Sequence, residues 1–324
     1  MNIEAAASVA PNVPSNPFPA LPQEDERDLR DLFARWEDLA KSEHSMPPVS
    51  PLIFRLLRMD RDAPLAVGEV TEIVESDPIL TARLLGLANS ALFVRPGKPI
   101  SDVKSAVIRL GINEAFEETF TQLFGMWVRH ISRMPDDALL DALWIENLIT
   151  AFAAREIATT LRDPAIDPAL TYTAALLHDV GTLALCWADA KPMARFIKSG
   201  YAYGTELHRD YVDAHCRLGS RLLQDWNAPL EYAEVAARHH QPLNHMESGM
   251  AAVVYLADHL HDAVTQHEAW SFQTPSAYPL GCIPHVPENV TAALVALGLD
   301  DKLEGIIERV ALQSARIESL ARMP

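Results

Sequence analysis

The chain has 324 residues, of which 49% are apolar, enough to form the core of one large domain or two ordinary ones. Its 44 acidic residues outnumber 27 basic ones, and the resulting net charge of −17 would on average repel a phosphate backbone. Since no local cluster of Lys and Arg stands out, composition disfavours a nucleic-acid-binding protein.

Cysteine usage and hydropathy together predict a cytoplasmic protein. Cys186, Cys216 and Cys282 are widely spaced and form no CxxC pair, so we expect reduced thiols rather than a disulfide framework. No apolar run is judged long enough to span a bilayer, and the N-terminus lacks the pattern of a signal peptide. We therefore expect neither a membrane segment nor a membrane partner.

The N-terminal region divides into a leader and a helix. Residues 1–23 are rich in Ala, Pro, Ser and Asn, which predicts a flexible leader. Residues 24–44 are predicted to hold an amphipathic helix, because apolar side chains recur at helical spacing from Glu24 to Lys41. That helix would either pack on the main body or offer a surface to a partner. The proline-rich segment Ser45–Pro51 ends it.

Helix signals continue along the rest of the chain. Asp77 and Pro78 suit the cap and first turn of a helix, and a second helix would run from a Ser101 cap to a stop at Gly111. Alternating strand patterns are almost absent, so we predict an all-α fold. Further predicted helices cover Ile112–Ile131, Trp144–Leu161, a helix opened by Asp167 and Pro168 that carries His178, Thr205–Trp226, Pro229–His239, Glu247–Thr265, and two helices between Pro287 and Leu320, with a break at Met134-Pro135 and a loop over Trp270–Pro287.

The stretch TAALLHDVGTLAL places His178 and Asp179 side by side in an apolar run. A buried charge is costly unless it is paired or bound to a metal. Adjacent side chains of one helix point about 100° apart, so we expect one member of such a doublet to point fully inward and the other to need a second metal or a hydrogen bond. Imidazole and carboxylate groups are ligands typical of iron, manganese or zinc. The candidate ligands of such a site are His178, Asp179, His215, His239, His240 and Asp258.

A structural interpretation of the same residues stays open. Carboxylates and imidazoles can satisfy one another in a buried polar network without any metal. Most histidines of a helical protein belong to the core or the surface, and we assign that ordinary role to the other eight: His44, His130, His208, His245, His259, His261, His267 and His285.

Three motifs give the chain a family resemblance. The segment LLHDVG resembles the HDxG motif of the HD superfamily of metal-dependent phosphohydrolases, and the order of the later histidines and Asp258 resembles the related HD-GYP phosphodiesterases. The upstream segments MPPVSPLIFRLL, SDPILTARLLGLANSALF and ISDVKSAVIRLGI resemble the HDOD domain, an HD-related output domain of bacterial signalling proteins. The resemblance implies a helical bundle of two subdomains over residues 45–243, divided near residue 134, with residues 244–324 completing or extending the HD-like half.

Departures from the catalytic pattern bear on the expected activity. Glu146 stands where the resemblance places the first ligand histidine, and a glutamate can also ligate a divalent ion. Thr182 replaces a lysine that catalytic relatives often have after the motif glycine, which removes one electrostatic stabiliser of phosphoryl transfer. The segment QPLNHMES after His239-His240 lacks the GYP signature. Hydrolysis of the HD-GYP kind is therefore disfavoured.

Two functions of different classes follow. The first is a stand-alone regulatory HDOD module of a bacterial signalling pathway, which binds a signalling protein or a small ligand and does not catalyse a reaction. The second is a metal-dependent phosphohydrolase that acts on a nucleotide or a cyclic dinucleotide, in which His178, Asp179 and the other ligands hold the ion. Homo-oligomerisation is compatible with either, and a divalent metal is the only cofactor indicated.

Overall fold

A computed structural model describes residues 20–41, 49–93, 98–241, 249–272 and 287–322. All regular secondary structure in these ranges is α-helix, which confirms the predicted fold class. The N-terminal helices are α1 (Gln23–Ala34), α2 (Trp36–Lys41), α3 (Pro51–Leu57), α4 (Ala66–Glu75), α5 (Pro78–Ala88), α6 (Val103–Leu110) and α7 (Ile112–Ile131). The remaining helices are α8 (Asp137–Leu161), α9 (Pro168–Leu177), α10 (Val180–Ala188), α11 (Ala190–Lys198), α12 (Glu206–Asp225), α13 (Leu230–Arg238), α14 (Gly249–Asp258), α15 (His261–Thr265), α16 (Pro287–Leu297), α17 (Leu303–Ala311) and α18 (Ser314–Ala321).

Helix starts largely follow the capping residues of the sequence. The Asp77 carboxylate accepts hydrogen bonds from the Ile79 and Leu80 amides, as its cap position predicts. The second predicted cap is wrong by one residue, since Asp102 rather than Ser101 caps α6. Its carboxylate accepts from the Ser105 amide at 2.8 Å, the reach expected of an N-cap side chain.

The predicted elements differ from the structure mainly at breaks inside apolar patterns. The helix predicted over residues 24–44 is two helices, because the chain turns at Arg35, and residues 42–44 lie outside the described ranges. The predicted helix Glu247–Thr265 is likewise α14 and α15, with tight turns at His259 and Leu260. The tail forms three helices instead of two, and the segment predicted to start at Trp144 begins at Asp137.

Some predictions lie mostly outside the described residues. The predicted leader includes residues 1–19, which are outside, and Gln23 already belongs to α1. The predicted loop Trp270–Pro287 is described only at its two ends. His44, His245, His285 and Cys282 are also outside.

The first group of helices packs around α7. The helices α3, α4, α5 and α6 each contact α7, and α4 also contacts α5 and α6. A run of stacked rings, Phe116, Phe120 and Phe124, lies along α7, with centroids 5.9 and 6.0 Å apart. The rings recur every four residues because that spacing returns a side chain to the same helix face.

The second group of helices is built on a buried pair, α8 and α9. The helix α10 packs against α12, α12 packs against α13, and α14 lies on α8. The C-terminal helices α17 and α18 also contact α8, and α18 reaches α7 in the first group. These contacts bring α8, α10, α12, α13 and α14 together in the part of the fold that holds the candidate site.

The N-terminal helix α1 is part of the core of the fold. Leu29, Leu32 and Phe33 are fully buried, and α1 contacts α11 and α12. The Asp25 carboxylate is also buried and forms a bidentate ion pair with Arg195. The apolar face of α1 is therefore occupied by its own chain, which favours the packing role over a partner surface.

One apolar stretch corrects the expectation from hydropathy. Pro168–Ala188, which holds α9 and α10, is long and apolar enough to cross a membrane, although no run of that length was predicted from the sequence. In the described structure, 83% of an 18-residue apolar segment within this stretch is buried inside the fold. A core helix of a folded domain passes the same test of length and composition.

Candidate metal centre

His178 and Asp179 lie at the junction of two helices. The helix α9 ends at Leu177 and α10 begins at Val180, and the His178 amide donates to the Ala175 carbonyl at 3.4 Å in a tightened last turn. Within one continuous helix the two side chains would diverge by about 100°. The junction removes that constraint, and the His178 Nε2 lies 3.8 Å from the Asp179 Oδ2.

The Asp179 carboxylate lies close to three histidines, which are positioned by α12 and α13. His215 lies in α12, and His239 and His240 directly follow α13. One ligand atom from each of these four residues lies within 4.8 Å of every other. The Asp179 Oδ1 is 3.4 Å from the His215 Nε2 and 3.5 Å from the His239 Nε2, and the two nitrogens are 3.3 Å apart. We call these four residues the Asp179 cluster.

The other predicted ligands lie beside the Asp179 cluster. The His178 Nε2 is 3.4 Å from the Asp258 Oδ1 at the end of α14, and the Thr150 hydroxyl lies 3.5 Å from the same oxygen. Glu146 on α8 completes this side. Burial raises the pKa of Glu146 to about 7, with Asp258 and Asp179 adding to the increase while His178 opposes it. The structure thus places all seven predicted residues in one region, in two adjoining groups.

Backbone carbonyls orient three of the imidazoles. Since a carbonyl oxygen only accepts, each of these rings must carry its proton on Nδ1, and Nε2 then points toward the site. Metal-binding histidines are commonly held in this way, with the second nitrogen anchored to a carbonyl or carboxylate. The donors and acceptors are His178 Nδ1 to Ala175 O at 2.6 Å, His215 Nδ1 to Tyr211 O at 2.8 Å, and His239 Nδ1 to Ala236 O at 3.0 Å.

The convergence of acceptor atoms is suited to a cation. The Asp179 Oδ1 is buried without a hydrogen-bond partner, although two imidazole nitrogens lie within 3.5 Å. Lone pairs that face one another in a buried site repel unless a proton or a cation lies among them. Their separations also match ligands about 3.3 Å apart around a four-coordinate ion at about 2.0–2.1 Å. The donor set therefore fits a divalent ion of the borderline class.

The histidines of the two groups have pKa values shifted in opposite directions. Although burial lowers the pKa of His178, the carboxylates of Asp179 and Asp258 outweigh it and raise that pKa to about 9. In contrast, burial lowers the pKa of His215 to about 4. Burial also lowers the pKa of His240, and the neighbouring His239 and His215 add to that effect. Neutral imidazoles beside an ionised carboxylate are the forms that bind a metal.

A layer of aromatic side chains supports His215 from outside. The Tyr211 ring stacks on the His215 imidazole with centroids 4.4 Å apart and planes at 21°. The Tyr211 hydroxyl is hydrogen-bonded to the Thr182 hydroxyl at 2.7 Å. The ring of Phe33 on α1 packs against the ring of Tyr211, with centroids 5.8 Å apart. Thr182, at the position of the catalytic lysine, therefore holds a structural partner of the site.

Two glycines set the distance between α10 and α12. A methyl group added at Gly181 would lie 2.0 Å from the His215 carbonyl oxygen and 2.8 Å from the Gly219 amide nitrogen. Only a residue without Cβ permits this approach. The glycine of the HDVG motif is thus required by backbone packing, and the close crossing is what brings Asp179 to His215.

Two residues beside the site, Tyr211 and His261, were not predicted from the sequence. The signal for Tyr211 was available, since it precedes His215 by four residues and so lies on the same face of a helix. His261 was treated as an ordinary histidine, yet its side chain is buried, and its proximity opposes the increase in the pKa of Glu146. The turn that separates α14 from α15 places it there, and the continuous helical pattern gave no sign of that turn.

A scan of protein families matches residues 46–242 to the HDOD domain. None of the curated proteins matches the chain.

Several solved structures share the fold. An HDOD domain protein of unknown function from Geobacter sulfurreducens is 22% identical, and the match covers 88% of this chain and 98% of that one, with a TM-score of 0.59. A protein from Shewanella amazonensis SB2B, provisionally described as a metal-dependent phosphohydrolase, is 18% identical over 92% and 100% of the two chains, with a TM-score of 0.62. A protein from Marinobacter aquaeolei VT8, provisionally described as a signal transduction protein, is 21% identical over 93% and 66%, with a TM-score of 0.62.

Proposed function

The chain belongs to the HDOD domain family, and on that premise we propose that it is a bacterial signalling protein that acts by binding rather than by catalysis. A fold neighbour is described as a signal transduction protein, which supports the signalling role. Its partners would be a signalling protein or a small ligand, and it would act in the cytoplasm, where the unpaired thiols of Cys186 and Cys216 stay reduced.

We also propose that the site binds a divalent ion. Asp179, His215, His239 and His240 would hold it, because their ligand atoms already converge. Imidazole with carboxylate suits iron, manganese or zinc. The unpartnered, buried Asp179 Oδ1 is the single observation that carries this proposal, since a purely structural network would satisfy that oxygen. His178, Asp258 and Glu146 would balance charge beside the ion or take part in ligation.

The residues around the site favour binding over turnover. A bound divalent ion would supply positive charge that attracts and polarises an anionic ligand such as a phosphate. Hydrolysis needs further groups that stabilise the transition state. The Thr182 hydroxyl, at the position of the lysine, is engaged by Tyr211, so it is not free to contact a phosphate.

The rival function is a metal-dependent phosphohydrolase. The observation that favours it is the same set of ligands, together with a fold neighbour described as a metal-dependent phosphohydrolase. In this alternative, the ligand residues would hold the ion. Glu146, whose carboxyl has a pKa of about 7, would accept a proton from water.

A turnover assay separates the two functions. The full chain, loaded with Fe²⁺, Mn²⁺ or Zn²⁺, would be incubated with bis(p-nitrophenyl) phosphate and with cyclic di-GMP, beside the Asp179→Ala variant. An Asp213→Ala variant is the matched control, because Asp213 is an exposed carboxylate on α12 that pairs with Arg217. We expect no product above the level of Asp179→Ala. Hydrolysis by the wild type and the control, lost in Asp179→Ala, would instead establish the enzyme.

A further inference from the structure

A groove lies between α5 and α18, in a part of the fold that the metal centre does not use. Both helices pack on α7, and the space between them is an open cavity of about 750 Å³. Small-molecule sites commonly have volumes of about 300–1,000 Å³. One wall of the groove comes from the segment SDPILTARLLGLANSALF, which supports the family resemblance but contributes nothing to the metal centre. The groove is therefore a second candidate binding site.

One face of α5 lines the groove. Arg83, Gly86 and Leu87 lie on this face because they are three or four residues apart, and Ser90 follows just beyond the helix. A glycine inside a helix is less stable than an alanine, yet no atom lies within 4 Å of a methyl group added at Gly86. Packing therefore does not require this glycine, and its lack of a side chain deepens the groove.

The walls of the groove present apolar side chains to solvent. Leu92, just after α5, and Leu312, between α17 and α18, both line it, and their exposed fractions are 63% and 64%. Leucine side chains are more often buried, and exposed apolar surface that lines a common cavity is typical of ligand-binding grooves. An apolar ligand would remove both side chains from water.

Buried polar atoms without partners also belong to the lining. The Arg316 side chain is only 10% exposed and pairs with Glu114 and Glu118, but its Nε is buried without a hydrogen-bond partner. The Ser90 hydroxyl is likewise buried and unpartnered. Because buried donors are normally hydrogen-bonded, an acceptor group of a ligand would complete this part of the groove.

The charges of the lining favour an anionic acceptor. The lining contains the two arginines Arg83 and Arg316 and a single carboxylate, Glu118. The oxygens of that carboxylate are already engaged by Arg316 and Gln122. Arg83 donates to the Ser319 carbonyl at 3.1 Å and so joins the two walls. In a chain whose net charge is −17, this local excess of guanidinium groups suits a carboxylate, which they bind by charge-assisted hydrogen bonds.

We propose that this groove binds an amphipathic carboxylic acid, that is, a small molecule with an extended apolar body and one carboxylate. The apolar body would cover Leu92 and Leu312, and the carboxylate would accept hydrogen bonds from Arg316 and Ser90. The groove shares no residue with the metal centre, and its ligand would bind without a metal ion. Such a ligand would extend the proposed signalling function, but its binding can be measured whether or not that function holds.

The test is equilibrium dialysis of the full chain, in EDTA, against radiolabelled decanoate, with 1-decanol as the uncharged probe of equal length. Gly86→Leu fills the groove, and Gly68→Leu is the matched control because Gly68 is also an exposed helical glycine with open space around it. Arg83→Met removes the charge but keeps the apolar stem. Arg35→Met is its control, since Arg35 also donates to a backbone carbonyl at 3.1 Å and lies outside the groove.

We expect the wild type and both controls to bind decanoate more tightly than 1-decanol. Gly86→Leu and Arg83→Met should each lower decanoate affinity about tenfold or more, since one removes the space and the other a charge-assisted hydrogen bond. In urea, Gly86→Leu should be at least as stable as the wild type, because leucine favours helix more than glycine does.

Equal decanoate affinity in Gly86→Leu and the wild type would overturn the site. Equal affinity of the wild type for the two probes, unchanged in Arg83→Met, would overturn recognition of a carboxylate. If Gly86→Leu fails to fold, Arg83→Met and 1-decanol decide by the same criteria. A wild type that binds no decanoate would overturn the inference and leave the metal centre in place. If that wild type also dimerises in sedimentation and Gly86→Leu does not, the groove belongs to a second copy of the chain instead.

Discussion

Tyr211 holds His215 from two directions. Its carbonyl accepts the Nδ1 proton of His215, and its ring stacks on the imidazole at 4.4 Å. The first contact belongs to the backbone and would survive any substitution at residue 211, whereas the second depends on the aromatic side chain. The orientation of His215 can therefore be tested without touching a ligand.

We expect Tyr211→Leu to weaken metal binding about tenfold, because the imidazole loses the ring that fixes its plane. Tyr211→Phe keeps the ring and removes only the hydrogen bond to Thr182, so it should leave metal affinity near that of the wild type. Tyr211→Phe should lower the free energy of unfolding by about 1–3 kcal/mol, since the buried Thr182 hydroxyl loses its partner. Isothermal titration with Zn²⁺ and urea unfolding measure the two quantities.

Tyr172→Phe is the matched control for Tyr211→Phe. Tyr172 is a buried tyrosine whose hydroxyl bonds to the Thr121 hydroxyl at 2.9 Å, outside the metal centre. It should lose comparable stability and no metal affinity. Equal metal affinity in Tyr211→Leu and the wild type would show that the ring does not position His215.

Some residues of the site can be identified from the sequence and others cannot. His178, Asp179, His215, His239, His240 and Asp258 could be selected because imidazole or carboxyl groups recur in a helical chain beside apolar runs. The resemblance to catalytic relatives added Glu146. His261 could not be selected, because its burial depends on a turn between α14 and α15 and on packing against α8. Burial of one side chain by a distant helix has no local signature.

Among the elements, the crossing of α10 and α12 determines the geometry of the Asp179 cluster. Asp179 precedes α10 and His215 lies within α12, so the separation of the two helices sets the separation of the two ligands. The helices approach closely at Gly181 and Gly219. Backbone packing therefore requires the motif glycine, whether or not the site catalyses a reaction.

We expect Gly181→Ala to destabilise the protein by about 1–3 kcal/mol, because the new methyl group would meet backbone atoms that cannot rotate away. The helix α12 would have to shift, and His215 would move from Asp179 with it. Metal affinity should therefore fall along with stability. Urea unfolding without metal and Zn²⁺ titration measure the two effects.

Gly68→Ala on α4 is the matched control. Gly68 is exposed, lies within a helix, and has no atom within 4 Å of an added methyl group. Alanine should leave stability unchanged or raise it by about 0.5–1 kcal/mol, since it favours helix more than glycine does. A Gly181→Ala variant as stable as Gly68→Ala would contradict the close crossing.

Helix existence was easier to predict than helix breaks. Capping residues such as Asp77 act locally, and their effect can be recognised from neighbouring residues. The junction at His178-Asp179 lies inside a largely apolar stretch, and the breaks at Arg35 and at His259-Leu260 carry no Pro or Gly. Tertiary packing sets such breaks, so the sequence pattern alone joined helices that the fold separates.

On the scale of the whole molecule, the metal centre collects residues that are far apart in the chain. Glu146 lies on α8, Asp179 before α10, His215 on α12, His239 after α13 and Asp258 on α14. No isolated segment holds enough ligands to bind an ion firmly, so metal binding and folding of the second group of helices should be coupled. The net charge of −17 further favours uptake of a cation over an anion.

The two groups of helices are also joined by buried ion pairs. The Arg155 guanidinium on α8 contacts Glu117 of α7 at 2.6 Å. Arg316 of α18 contacts Glu118 of α7 at 3.1 Å and also pairs with Glu114. Because these charges pair between helices, they link α7 to α8 and to α18. The candidate site is therefore carried on a connected framework.

The most direct measurement is the metal content per chain, by plasma mass spectrometry, of protein purified without oxygen or chelator. Wild type would be compared with the His178→Ala/Asp179→Ala double variant and with the Asp213→Ala control. We expect stoichiometric iron, manganese or zinc in the wild type and the control, and its loss in the double variant. Absence of metal from all three proteins, with the double variant markedly less stable, would contradict a metal centre and show that His178 and Asp179 belong to a structural polar network.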